Sequence, residues 1–127
     1  LYIGVASRSL STSFLGQELR ARGHGTFFRS LGAVLGYRPE PGSLIGKGNT
    51  RNYVFRTSDE REIIAWINQN LLVNWVAVAP EDQDHSEKQL IREHLPLLNL
   101  QGNPAALPEL SAVRAECVRI ANTPSFM

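Results

Sequence analysis

Residues 72–79 constrain the fold more than any other part of the sequence. Alternate positions of an extended chain face opposite sides, and here both sets are apolar except for Asn74. A strand with two apolar faces needs cover on both, so the pattern predicts a strand packed between other elements. The chain has 127 residues. That length has room for one domain, because domains usually hold about 100 to 150 residues.

The remaining pattern predicts helices and two further short strands. Residues 1–6 and 53–55 are expected to be strands. Helices are predicted where apolar residues recur three or four positions apart, over residues 15–22, 26–35, 57–71, 84–94 and 107–121. Thr26 is the expected cap of the second helix, and residues 57–60 form a capping-box sequence. We therefore expect an α+β fold over residues 1–127, with a small, mostly antiparallel β-sheet of about three strands flanked by helices.

Composition narrows the setting in which the protein works. Cys117 is the only cysteine, so no disulfide or cysteine zinc site can form within the chain, and a reducing cytoplasm is expected. No apolar stretch reaches the roughly 18 residues of a membrane span. The first residue is Leu rather than Met, so we expect a fragment or a processed product.

Charge is distributed unevenly along the chain. Residues 1–56 hold eight bases and two acids, a net charge of +6, whereas residues 57–127 hold five bases and ten acids, a net charge of −5. If folding gathers the arginines of the first half on one face, that face could bind phosphate. Scattered, solvated charge is the alternative.

Glu87 is the most informative acid in the sequence. In the helix predicted over residues 84–94, it flanks the apolar Leu90 and Ile91 on the inward side. A carboxylate facing the core needs hydrogen bonds, a cation or a metal ion, because burying an unpaired charge is costly. A magnesium ion held by one carboxylate, water and substrate phosphate would suit it. The alternative is a capping box, in which Glu87 only returns to the Asp84 amide.

Two segments resemble the GIY-YIG nuclease superfamily. Residues 1–4 (Leu-Tyr-Ile-Gly) are similar to the second half of the motif that names it. Residues 87–91 (Glu-Lys-Gln-Leu-Ile) and 96–99 (Pro-Leu-Leu-Asn) are similar to its later glutamate and asparagine pattern. Residues 25–32 and 99–104 also look like a bacterial branch of small stand-alone members. These landmarks span nearly the whole chain.

The resemblance implies a magnesium-dependent DNA endonuclease that hydrolyses phosphodiester bonds, with Mg²⁺, or Mn²⁺ in its place, as cofactor. By the same resemblance, Tyr2 lines the active site and Gly4 lets backbone approach the substrate. Glu87 would bind the metal, and Asn99 would border the site. DNA is the expected partner, no membrane is expected, and the oligomeric state is left open.

Two departures from the family pattern qualify that expectation. Family members carry an earlier Gly-Ile-Tyr strand, whose tyrosine is the usual candidate base, and nothing precedes Leu1 in this sequence. Either that strand has been lost from this chain, or the domain lacks its first strand and one catalytic phenol. Glu18 takes the position of the family's helical arginine and Arg22 that of its histidine, while Arg20 faces away. The departures make a catalytically inactive GIY-YIG-like module, binding nucleic acid or protein, the alternative function.

Three explanations of Glu18 stay open. Arg20, Arg22 or Arg29 could supply the missing cation, the domain could bind nucleic acid without cutting it, or Glu18 could be an engineered inactivating change. His24, between two glycines, is a candidate for approaching the substrate, with an ordinary loop histidine as the alternative.

Overall fold

The computed structural model describes residues 1–5 and 24–125, and this part of the chain is helical. Its four α-helices are α1 (Thr26–Val34), α2 (Thr57–Asn70), α3 (Gln83–His94) and α4 (Pro108–Ala121), with a 3₁₀ turn at Pro80–Asp82 before α3. These bounds lie close to the helices predicted from residue 26 onward, and the helix predicted over residues 15–22 lies outside the described residues. No helix in the described ranges is both long and apolar enough to cross a bilayer.

The expected three-stranded sheet is not found in residues 1–5 and 24–125, which corrects the α+β prediction. Residues 1–5, 53–55 and 72–79 all lack strand structure. A strand forms only by hydrogen bonding to a neighbouring strand, and an apolar pattern alone does not supply that neighbour. Residues 72–78 make no backbone hydrogen bond with another described segment. Leu72 is 103% exposed and Trp75 is 69% exposed, so the two covering layers are also missing from the described part.

The core lies between α1 and α4. Its buried side chains include Phe28 and Leu31 from α1 and Leu110 and Cys117 from α4. Gly32 lets this core close, because a Cβ at that position would collide with the ring of Phe55. The α1 helix therefore presents a face of aromatic and small residues to the rest of the molecule.

The boundaries of α1 and α2 differ in detail from the predicted caps. Gly25, not Thr26, precedes the first turn of α1, and Gly36 follows its end with φ of +99°. In α2 the capping residue is Arg56, and no side chain caps the first turn. The capping box predicted over residues 57–60 is therefore not formed with Thr57 as its cap. The predicted apolar stripe is confirmed at Ile63 and Ile67, which are both buried.

The loop between α1 and α2 is bonded to the C-terminal end of α4. Its backbone amides at Gly42 and Leu44 donate to the carbonyls of Ile120 and Ala121 at 3.0 and 2.8 Å. Arg38 donates to the Ala33 carbonyl at 3.0 Å and forms a 3.2 Å ion pair with Glu116. These contacts fix the loop against α1 and α4.

The α3 helix has a much smaller buried face. Ile91 is its only buried residue among twelve. No side chain caps its first turn. The capping-box alternative for Glu87 is therefore not formed, and Asp84 instead pairs with Lys88 at 2.9 Å.

Candidate functional site

A cleft of about 410 Å³ lies where the start of the chain, α3 and the loop after α3 meet. Tyr2, Glu87 and Asn99 all line it, although they are far apart in the sequence. Lys88 and Arg114 add basic groups to the lining. The structure thus brings together three residues that the sequence analysis selected for one site.

Asn99 joins the loop after α3 to residues 1–5 by hydrogen bonds. Its side-chain oxygen accepts from the Ile3 amide, and its side-chain nitrogen donates to the Ile3 carbonyl, both at 2.8 Å. A backbone bond from the Leu98 amide to the Leu1 carbonyl, at 2.9 Å, runs beside them. The side chain is 7% exposed. The oxygen and the nitrogen of the Asn99 amide both bond to the backbone of Ile3, the residue after Tyr2. Asn99 therefore holds Tyr2 in place.

Asn103 supports the loop that carries Asn99. Its side-chain nitrogen donates to the carbonyls of Pro96 and Asn99 at 2.9 and 3.0 Å, and its oxygen accepts from the Ala105 amide at 2.8 Å. The residue is buried. A buried amide with its hydrogen bonds satisfied fixes an irregular loop, since leaving such groups unpaired would be costly.

Tyr2 is half-buried, with its ring 5.3 Å from that of Phe27 in α1. Gly4 makes room for this ring, because a Cβ there would lie 2.8 Å from Cε1 of Tyr2. Gly4 itself is exposed and does not line the cleft. The glycine therefore acts on the placement of the phenol, which the sequence interpretation did not anticipate.

Glu87 is half-buried on the α3 wall. Burial raises the pKa of its carboxyl above the usual value, the nearby Asp84 adds to the rise, and Lys88 opposes it. No side chain among the described residues forms a salt bridge with it. The carboxylate is therefore partly desolvated with its oxygens available, a condition that favours binding of a cation.

His24 and Arg29 lie away from the cleft lining. His24 is 4% exposed, with its ring packed against those of Phe28 and Phe55 at 4.6 and 5.8 Å. Burial, and secondarily the charge of Arg29, lowers its pKa to about 4. Arg29 donates from Nε to the Tyr53 carbonyl at 2.8 Å. The structure thus does not bring these two expected substrate contacts to the cleft, and Glu18, Arg20 and Arg22 lie outside the described residues.

Arg114 is a cleft residue that the sequence analysis missed. A signal was present, because Arg114 lies four positions after Leu110 and three before Cys117, on the apolar stripe of α4. This is the pattern that singled out Glu87. A charged residue on the buried face of a helix needs a partner or a ligand, so the same spacing marks Arg114 as a candidate site residue.

The site suits a cation held by few protein ligands. No cluster of three His, Cys, Asp or Glu residues occurs in the described ranges. Glu87 is the carboxylate best placed for a metal, with Asp84 also in the lining. Magnesium is commonly bound by one or two carboxylates, with water and substrate phosphate completing its shell. The donor set fits such an ion and does not fit a cage built only from protein ligands.

Tyr2, Glu87 and Arg114 all line the cleft. They carry a phenol, a carboxylate and a guanidinium, which are groups that hydrolytic enzymes use on anionic esters. The sequence matches the GIY-YIG catalytic domain over residues 1–116, and the chain therefore belongs to the GIY-YIG family. That membership associates it with nuclease activity and with nucleic acid as a partner. Neither a curated protein nor a solved structure shows a significant match to the chain.

Proposed function

We propose that the protein is a metal-dependent DNA endonuclease that hydrolyses phosphodiester bonds, with Mg²⁺ or Mn²⁺ as cofactor. The observation that carries this proposal is the convergence of Tyr2, Glu87 and Asn99 on one cleft. Membership of the GIY-YIG family supports the proposal, because the matched domain is a catalytic domain associated with nuclease activity.

Glu87 would hold the metal ion in this proposal. Its carboxylate has no protein cation paired with it among the described residues, and burial disfavours leaving its charge alone. A divalent ion bound there supplies positive charge that stabilises the negative charge developing on the phosphodiester oxygens. Lys88 is held by Asp84 at 2.9 Å and so does not replace the ion.

Tyr2 would assist as the base: its phenolate oxygen would accept a proton from the water that attacks the phosphodiester, while the bond from phosphorus to the leaving oxygen breaks. A tyrosine hydroxyl has a reference pKa near 10, so this role needs nearby positive charge to favour the phenolate. Asn99 is a positioning residue, because it acts on Tyr2 through the Ile3 backbone. Gly4 contributes by leaving space for the phenol ring.

One observation favours a second candidate function, a module that binds nucleic acid without cutting it. Glu18 occupies the position at which the family resemblance implies an arginine. An anion beside a phosphate would raise the energy of the reaction instead of lowering it.

Plasmid cleavage by the full chain tests the proposal. With Mg²⁺ the wild type should nick supercoiled DNA, and EDTA should stop the reaction. Glu87→Gln should lower the nicking rate by at least about 100-fold, because it removes the metal-binding charge. Glu93→Gln is the matched control, since Glu93 is exposed on the same helix and, among the described residues, its side chain bonds to Gln89 alone.

The control variant should nick within about twofold of the wild type, because Glu93 is exposed and does not line the cleft. Equal nicking by Glu87→Gln and wild type would reject the metal role of Glu87. Salt-dependent DNA binding with no nicking by the wild type would favour the binding module.

A further inference from the structure

Arg114 reaches the cleft without an acidic partner. No carboxylate in the described part of the chain lies within salt-bridge distance of its guanidinium. The other base in the lining, Lys88, is already paired with Asp84 at 2.9 Å. Arg114 is therefore the basic group of the described lining whose charge is not offset by a salt bridge.

Ser30 fixes the position of Arg114. One guanidinium nitrogen donates to the Ser30 hydroxyl oxygen at 3.1 Å, and Ser30 is 0% exposed on α1. This contact crosses the packed α1–α4 pair, so the guanidinium is held by the core rather than by a surface loop. Arginine carries five N–H donors, and the contact with Ser30 leaves the second nitrogen and Nε for a ligand.

Arg38 is a useful comparison, because its guanidinium is bound to groups of the protein itself. Its guanidinium donates to the carbonyls of Ala33 and Tyr37 and pairs with Glu116 at 3.2 Å. Arg38 does not line the cleft. Arg114 lines the cleft and has one hydroxyl partner among the described residues, so it differs from Arg38 in both respects.

The charges of the described lining balance only when Arg114 is counted. Asp84 and Glu87 bring two negative charges to the lining, and Lys88 and Arg114 bring two positive charges. Without Arg114 the lining would carry a net negative charge and would repel a phosphate. With Arg114, and with a cation on Glu87, the cleft attracts a phosphate on two sides.

We propose that Arg114 binds a phosphate group of the nucleic-acid substrate in the cleft that contains Glu87. The inference rests on the proposed endonuclease function, since the phosphate is taken to be that of the bond being cut. The planar guanidinium can donate two parallel hydrogen bonds to phosphate oxygens and keeps its charge at any working pH. The last helix thus supplies a phosphate-binding residue, although it belongs to the acidic half of the sequence.

Cleavage by Arg114 variants tests this assignment. Arg114→Ala should lower the plasmid nicking rate by about 100- to 1000-fold, the range seen when one donor to a developing oxyanion is removed. Arg114→Lys should recover only part of the activity, because an ammonium group lacks the planar fork. Arg119→Ala is the control, since Arg119 is exposed on the same helix and does not line the cleft.

Two further measurements separate phosphate binding from a structural role. Methylguanidinium at millimolar concentration should restore nicking by Arg114→Ala by about tenfold or more, since it returns the missing fork. The slope of log affinity against log salt for duplex DNA should become shallower by about 1 in Arg114→Ala and stay unchanged in Arg119→Ala. Circular dichroism checks that each variant keeps the helical content of the wild type.

The outcomes distinguish this inference from the proposed function. Wild-type nicking with equal nicking by Arg114→Ala, or a loss that methylguanidinium does not restore in a folded variant, would overturn the role of Arg114 alone. If the wild type binds DNA without nicking it, the endonuclease proposal fails and the salt slope decides the role of Arg114. Absence of DNA binding by the wild type would overturn both.

Discussion

The two walls of the cleft are built in different ways. The wall with Asn99 and Arg114 rests on the α1–α4 core and on a loop whose buried amides are hydrogen-bonded. The wall with Glu87 is α3, in which only Ile91 is buried. The segment before α3, residues 72–79, is mostly exposed.

This difference indicates how stability and chemistry are divided. Groups that must orient a phosphate or a phenol are placed by packing and by paired amides, which tolerate little displacement. The carboxylate assigned to the metal is placed by a helix with a small apolar contact. We therefore expect the two walls to respond unequally to mutation.

The largest expected effect tests whether the core wall holds most of the stability. Phe28 is 0% exposed, so Phe28→Ala should lower the free energy of unfolding by about 3 to 5 kcal/mol. Leu90→Ala on α3 removes a side chain that is 37% exposed, and should cost less than about 1 kcal/mol. Urea unfolding followed by circular dichroism measures both. Equal losses would show that the two walls are equally packed.

The next effect concerns the amide that joins the first segment to the core wall. Asn99→Ala leaves the amide and carbonyl of Ile3 without their side-chain partners, and should cost about 2 to 3 kcal/mol. Asn68→Ala is the control, because the Asn68 side chain is exposed and bonds only within its own helix. It should cost less than about 0.5 kcal/mol. A cost for Asn99→Ala as small as that of the control would mean that Asn99 does not hold Tyr2 in place.

The sequence predicted the helices from residue 26 onward well and the sheet wrongly, for one physical reason. A helix satisfies its backbone within itself, so the spacing of residues such as Ile63 and Ile67 is enough to locate it. A strand needs a partner from elsewhere in the chain, and the apolar pattern of residues 72–79 could not say whether one exists. The strand pattern of residues 72–79 alone therefore did not determine their structure.

The candidate site was predictable in part. Glu87 was selected by its helical spacing and by resemblance to a family, and Tyr2 and Asn99 by that resemblance alone. The structure places all three around one cleft. Their chemical roles remain predictions. His24 was misleading because its flanking glycines suggest a loop, whereas its ring packs between Phe28 and Phe55. Arg114 was missed because its half of the chain is acidic overall, and net charge does not show which single residue enters a cleft.

A third, smaller effect follows from the burial of His24. Its folded pKa of about 4 lies below the unfolded value of 6.5, so the unfolded chain binds more protons between these values. Stability is therefore full above pH 6.5 and falls as the pH is lowered towards 4. Between pH 7.5 and 5 we expect a loss of about 1 to 2 kcal/mol in the free energy of unfolding.

Two neighbouring groups affect the size of this loss. The Glu60 carboxylate lies 3.3 Å from Nε2 of His24, and burial raises its pKa, so its titration opposes that of the histidine. The positive charge of Arg29 acts in the same direction as burial. Urea unfolding at the two pH values should show the loss in wild type and a flatter dependence in His24→Gln. Identical profiles for the two proteins would contradict the burial of His24.

The smallest expected effect concerns residues 72–79, the exposed segment before α3. Trp75 is 69% exposed, so Trp75→Ser should change the free energy of unfolding by less than about 0.5 kcal/mol. If residues 72–79 were covered on both faces, as their pattern predicted, the same change would cost about 3 to 5 kcal/mol. Tryptophan fluorescence of Trp66→Phe, which leaves only Trp75, should show emission typical of an indole in water. A large loss of stability with blue-shifted emission would show that this segment is covered, and the α3 wall would then be as well supported as the core wall.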